Sequence, residues 1–248
     1  MSEDPQQITI RLPRITRGMK ILSIYTVAVW LLLVVLSFVP HQGGALGPLH
    51  WLALIGSRIV PRFELWRMFS YVLIENPGNF SAVWDVVAFW LIGSPIEQAS
   101  GMRRIVGLSL AGTVGGAVLV LLASRLSIEM LNEPVIGMAP ITGALVVGWG
   151  FQYATQKVSF FGLGAMTGKQ LSMALAGVSV FFAILSHTAM SMASIGGLAG
   201  GLVYMLAVSR GAGTKGRTDR EGGPRKRRSS GERFKVIPGG RDDKHMWN

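Results

Sequence analysis

The sequence has no cysteine and little charge: 15% of its 248 residues are Asp, Glu, Lys or Arg, against roughly 25% in a soluble domain. The missing cysteine excludes disulfides, thiol nucleophiles and cysteine-bound metals. Only four histidines remain as imidazole ligands, His41, His50, His187 and His245, so neither a metal nor a cofactor is expected. The 13 acidic residues are too few to coat a soluble globule of this size. In their place the chain is 50% hydrophobic with 32 glycines, and its mean hydropathy is +0.42.

The basic residues gather at the ends. Of 24 Lys and Arg, four lie in residues 1–20 and twelve in 210–248. A formal net charge of +11 is compatible with nucleic-acid binding. Basic ends around an apolar block are instead the pattern of a membrane protein, so the expected partner is the lipid bilayer and no nucleic acid is expected.

Residues 21–40 carry no charge and are about long enough to cross a ~30 Å hydrocarbon core. A signal peptide would have a shorter apolar region, roughly 7–15 residues, followed by a small-residue cleavage site; the sequence after this run is a poor one. A long connection, 41–79, follows. In it Trp51, Leu52, Leu54, Ile55 and Ile59 are placed along one side of a helix at the lipid interface. Five further spans are expected near 80–98, 105–124, 137–155, 170–186 and 190–208. The expected fold is therefore all-α, a polytopic six-helix membrane bundle. It divides into a basic N-terminus (1–20), a membrane domain (21–208) and a disordered polybasic tail (209–248). The tail cluster Arg225, Lys226, Arg227 and Arg228 suits anionic lipid headgroups.

Six spans put both termini on one side. Leaving out the tail, that side holds eight Lys and Arg against four on the other, which places the termini in the cytoplasm. Basic cytoplasmic ends fit a bacterial inner membrane.

Three features fall in a telling order. Trp66-Arg67 precedes the second span. Glu97 and Gly101 end that span, with Arg103-Arg104 behind them. The sixth span reads Ala193-Ser194-Ile195-Gly196-Gly197-Leu198-Ala199-Gly200-Gly201. Over residues 20–208 the chain resembles the rhomboid superfamily, whose proteases carry a Trp-Arg pair in the first loop, G-x-S-G at the head of span four and A-H-x-x-G-x-x-x-G in span six. The resemblance implies a rhomboid intramembrane serine protease fold with a Ser–His dyad.

The dyad is absent from the matching positions. The span-four motif falls on Gly137-Met138-Ala139-Pro140, which puts a methyl group at the nucleophile position Ala139. The histidine position is Ser194, which is no base near neutral pH. The two oxyanion positions of span two fall on Ser81 and Asp85; an ionised Asp85 would repel an oxyanion. The resemblance thus implies a catalytically inactive pseudoprotease. Non-catalytic rhomboid relatives, such as the Derlins, bind membrane-protein clients, so the chain is expected to recognise transmembrane segments of client proteins through a cleft lined by Asp85, Ser81 and Ser194. Two alternatives stand beside this: an active serine-type endopeptidase with a relocated site, and a transporter.

The remaining residues have structural readings. An acid about five residues into a span is costly and faces the bundle interior or water; for Asp85 a client-binding handle and a plain interhelical hydrogen bond are equal alternatives. Glu97 pairs with Arg103 or Arg104, or caps a neighbouring helix. Trp66 and Arg67 anchor the loop at lipid headgroups, or stabilise it as in rhomboids. Gly197 and Gly201, in step with Gly196 and Gly200, let span six lie tight on span four; a homodimer seam is their competing use. His187, at the end of span five, is a polar residue of the interface.

Overall fold

A computed structural model describes residues 14–38, 50–78, 80–159 and 165–221, of which 60, 158, 159, 165 and 211–221 are described as backbone only. The basic segment before residue 14, His41, and the tail from 222 onward lie outside the described residues.

The chain is mostly helical. In order come α1 (Arg17–Ser37), α2 (Gly56–Arg62), α3 (Arg67–Ser70) running into a 3-10 turn (Tyr71–Leu73), α4 (Ser81–Ala88), a π-helical turn (Phe89–Gly93), α5 (Ser94–Ser100), α6 (Met102–Ala123), α7 (Ile128–Asn132), α8 (Ala139–Gln152), strands β1 (Lys157–Ser159) and β2 (Ala165–Thr167), α9 (Gly168–Ser186) and α10 (Ala189–Glu221).

Four of these helices are long and apolar enough to cross a membrane: α1, α6, α9 and the Ala189–Arg210 part of α10. The spans expected near 80–98 and 137–155 take other forms. Residues 81–100 form one broken rod, α4, π turn and α5. Pro95 explains the break: it has no N–H to donate, and its ring would strike the carbonyl of Leu91 in a continuous α-helix, so the turn before it widens. Helix α8 is only fourteen residues, about 21 Å at ~1.5 Å per residue. It is short because it is central: Ile141, Ala144, Leu145, Gly148 and Trp149 are all buried.

Two features amend the all-helical expectation. Strands β1 and β2 pair antiparallel, Lys157 opposite Thr167. Leu54 and Val135 exchange two backbone hydrogen bonds of 2.9 Å. That second contact also corrects the interfacial helix expected over Trp51–Ile59. Leu54 and Ile59 are fully buried while Trp51 is exposed, and α2 begins only at Gly56. The run is split because its middle is stitched to the segment leading into α8.

The bundle is held by close approach of backbones. On α10, Gly196 and Gly200 meet Gly115 and Ala111 of α6, while Gly197 and Gly201 meet Pro140 and Ala144 of α8. Each of the two G-x-x-x-G pairs therefore has its own neighbour. Lipid supplies no hydrophobic push between helices, and small residues allow the van der Waals contact that replaces it. The outward faces of α4 and α9 stay apolar and exposed, as at Trp84, Phe181, Phe182 and Leu185.

Candidate functional site: a carboxyl cluster at the head of the central helix

The chain turns sharply into α8. Gly137 has φ of +110°, a conformation that side-chain-bearing residues rarely adopt. Its N–H donates to the Tyr71 carbonyl at 3.0 Å. The next N–H, of Met138, donates to Glu75 Oε1 at 3.0 Å, so a carboxyl group from the loop before α4 caps the start of α8, where orphan donors need a partner. Pro140 sits in the first helical turn, where its missing N–H has no helical partner to lose.

Helix α4 completes the cluster. Ser81 Oγ donates to Glu75 Oε2 at 3.2 Å. One turn later Asp85 accepts a 2.6 Å hydrogen bond from Thr142 Oγ1 of α8. Glu75 and Asp85 are both buried, at 1% and 7% exposure. Glu75 lies in the connection before α4. Burial and the nearby Asp85 carboxylate push its pKa up, to about 7.

The structure brings together Ser81, Asp85 and the α8 head that carries Ala139. Ser194 is placed differently. Its backbone carbonyl lies against Gly143 of α8, but its hydroxyl donates to Met190 O of its own helix at 3.2 Å. His187 closes α9 as a left-handed C-cap, with ring Nδ1 3.2 Å from Leu185 O.

Sequence reasoning missed Glu75 and Thr142. A signal for Glu75 was present: residues 21–208 contain only Glu64, Glu75, Asp85, Glu97, Glu129 and Glu133 as acids, and each must find a partner in so apolar a chain. Thr142 gave no such signal, since a lone Thr in a helix commonly bonds within its own helix.

Arg67 and Glu97 hold other parts of the scaffold. The Arg67 side chain is fully buried, which removes the headgroup contact considered for it. Its guanidinium pairs with Glu64 and donates to the carbonyls of His50 (2.8 Å) and Ala53 (2.6 Å). Nη2 has no hydrogen-bond partner among the described residues, while the Trp51 ring centroid is 6.0 Å from Cζ, within cation–π reach. Trp66 is half-exposed and donates Nε1–H to Trp51 O at 3.4 Å. Glu97 makes no ion pair with Arg103 or Arg104 among the described residues. Its carboxylate accepts from Thr16 Oγ1 and from the N–H groups of Gly18 (3.2 Å) and Met19 (3.1 Å), capping α1.

Chemically, the cluster offers two carboxyl groups and two hydroxyls inside an apolar bundle. It can accept hydrogen bonds, hold a proton, or balance a cationic group brought in on another helix. Among the described residues no three His, Cys, Asp or Glu side chains are grouped to hold a metal ion.

A chain built of apolar helices, four of them able to cross a bilayer, is an integral membrane protein. It belongs to the family described as "Eukaryotic integral membrane protein (DUF1751)", whose model matches residues 20–215. No curated protein matches the chain. The eukaryotic description gives no support to the bacterial inner membrane expected from the basic ends.

Proposed function

We propose that this chain is a non-catalytic, rhomboid-like membrane protein that recognises transmembrane segments of client proteins through the Glu75–Asp85 cluster. In this reading α4–α5 and α8 act as the second and fourth of six membrane-embedded helices. Both termini face the cytoplasm, and clients approach between α4 and α9, whose outward faces are apolar.

One observation carries the reading: Asp85 is a buried acid on a lipid-facing helix, hydrogen-bonded to the central helix beside a second buried carboxyl group. Ionisable residues at membrane depth are costly and mark sites where polar partners are received. A client segment with a polar or basic residue in mid-membrane lacks a partner in lipid and gains one here. Ala139 and Ser194, in place of the rhomboid dyad, make binding without cleavage the natural outcome.

The test uses purified protein in lipid nanodiscs with a photoreactive residue replacing exposed Trp84. Synthetic transmembrane peptides with a central Lys or a central Leu are supplied. The Lys peptide should be crosslinked in excess and recovered intact, and the excess should vanish in Asp85→Asn. Equal crosslinking of both peptides overturns the proposal. Cleavage lost in Ser194→Ala overturns it in favour of a serine peptidase. The pairing of Glu75 with Asp85 also favours a second reading, proton or cation transport; flux in liposomes that is lost in Asp85→Asn would establish it.

A further inference from the structure

A second site lies away from the carboxyl cluster. Helices α8, α9 and α10 enclose a groove of about 670 Å³. Its walls include Val147 and Gly150 of α8, Ala176 and Val180 of α9, and Leu198 and Leu202 of α10. Among the described residues, the one charged residue lining it is Lys169, at the start of α9. The Ser172 hydroxyl in its wall donates to Val146 O at 2.8 Å and is occupied within the protein.

The dimensions select an occupant. From Lys169 to Val180 the helix rises about 16 Å at ~1.5 Å per residue, roughly half of a ~30 Å hydrocarbon core. The groove is thus one leaflet deep, with its cation at the end where a headgroup would sit. Its lining is apolar along that length, as an acyl chain requires.

The charge selects the headgroup. Lys157 on β1 is paired opposite Thr167, the N-cap of α9, so a second exposed lysine stands beside the same helix start as Lys169. The positive end of the α9 dipole reinforces both. We infer that the α8–α9–α10 groove binds an anionic phospholipid, with its acyl chains against Val147, Val180 and Leu202 and its phosphate between Lys169 and Lys157.

The experiment reconstitutes the full chain in vesicles of phosphatidylcholine doped with either phosphatidylserine or phosphatidylcholine carrying a mid-chain diazirine. After irradiation, adducts are mapped to peptides by mass spectrometry. Adducts on the groove residues of α9 and α10 should be roughly five- to tenfold more abundant from phosphatidylserine. That ratio should fall towards one in a Lys157→Gln/Lys169→Gln double variant. Ala199→Leu, which narrows the groove, should remove groove adducts and leave those on outward-facing Phe181 and Phe182. Equal groove labelling by the two lipids, or a serine-lipid preference that survives the double variant, overturns the inference. Because the groove is separate from Asp85, these outcomes are independent of client binding.

Discussion

Two regions of this molecule keep their shape by opposite means. The loop 50–78 is tied by a buried arginine, its glutamate partner and hydrogen bonds to irregular carbonyls. The seam of α6, α8 and α10 contains almost no polar contact and is held by glycines that let backbones touch. The loop must satisfy backbone groups that no helix satisfies, and only a multi-donor side chain such as Arg67 reaches several at once. The seam has its backbone groups paired within helices, so shape is the only thing left to optimise. Charge serves where the backbone is irregular, and the lack of a side chain serves where it is regular.

Substitutions can break each half of this contrast. Arg67→Ala has the largest expected effect: it strands the Glu64 carboxylate and two carbonyls in the interior, at about 3–5 kcal/mol, read as loss of monodisperse protein in detergent. Gly200→Ala should cost about 1–3 kcal/mol, because the added methyl overlaps the backbone of Ala111; thermal unfolding in detergent measures it. Glu97→Ala, which uncaps α1, should cost about 0.5–2 kcal/mol by the same assay. Gly177→Ala is the matched control. Nothing lies within 4 Å of a methyl at Gly177, so stability should stay level or rise by up to about 1 kcal/mol. A similar loss at Gly177 and Gly200 would show that close approach does not set the cost, since helix propensity favours alanine at both.

The cluster at the α8 head adds a pH signature. Glu75 is raised from an ordinary 4.5 to about 7, so it holds its proton more tightly folded than unfolded. Its contribution is full below about pH 4.5 and is lost as pH rises through about 7. The melting temperature should fall across that window, and fall less in Glu75→Gln.

Much of the scaffold was legible because its signals are local. Uncharged runs bounded by glycine, proline and charge placed α1, α6, α9 and the Ala189–Arg210 part of α10 to within a few residues. The short α8 was not legible as such, since a central helix is shortened by what surrounds it rather than by its own sequence; the broken rod had a readable signal in Pro95. The start of α9 had a readable signature that went unused: Thr167 and Gln170 form a capping box, the S/T-x-x-E/Q pattern. At the candidate site, Ser81 and Asp85 were placed by resemblance. Glu75, ten residues upstream of Asp85, entered only through the fold, which folds the loop back over α8.

The most direct measurement is a double-mutant cycle in nanodiscs, pairing wild type or Asp85→Asn with a transmembrane peptide bearing a central Lys or Leu. The account predicts a coupling free energy of about 1–2 kcal/mol between Asp85 and the peptide lysine. Additive effects, with both peptides losing or keeping affinity alike, would contradict it.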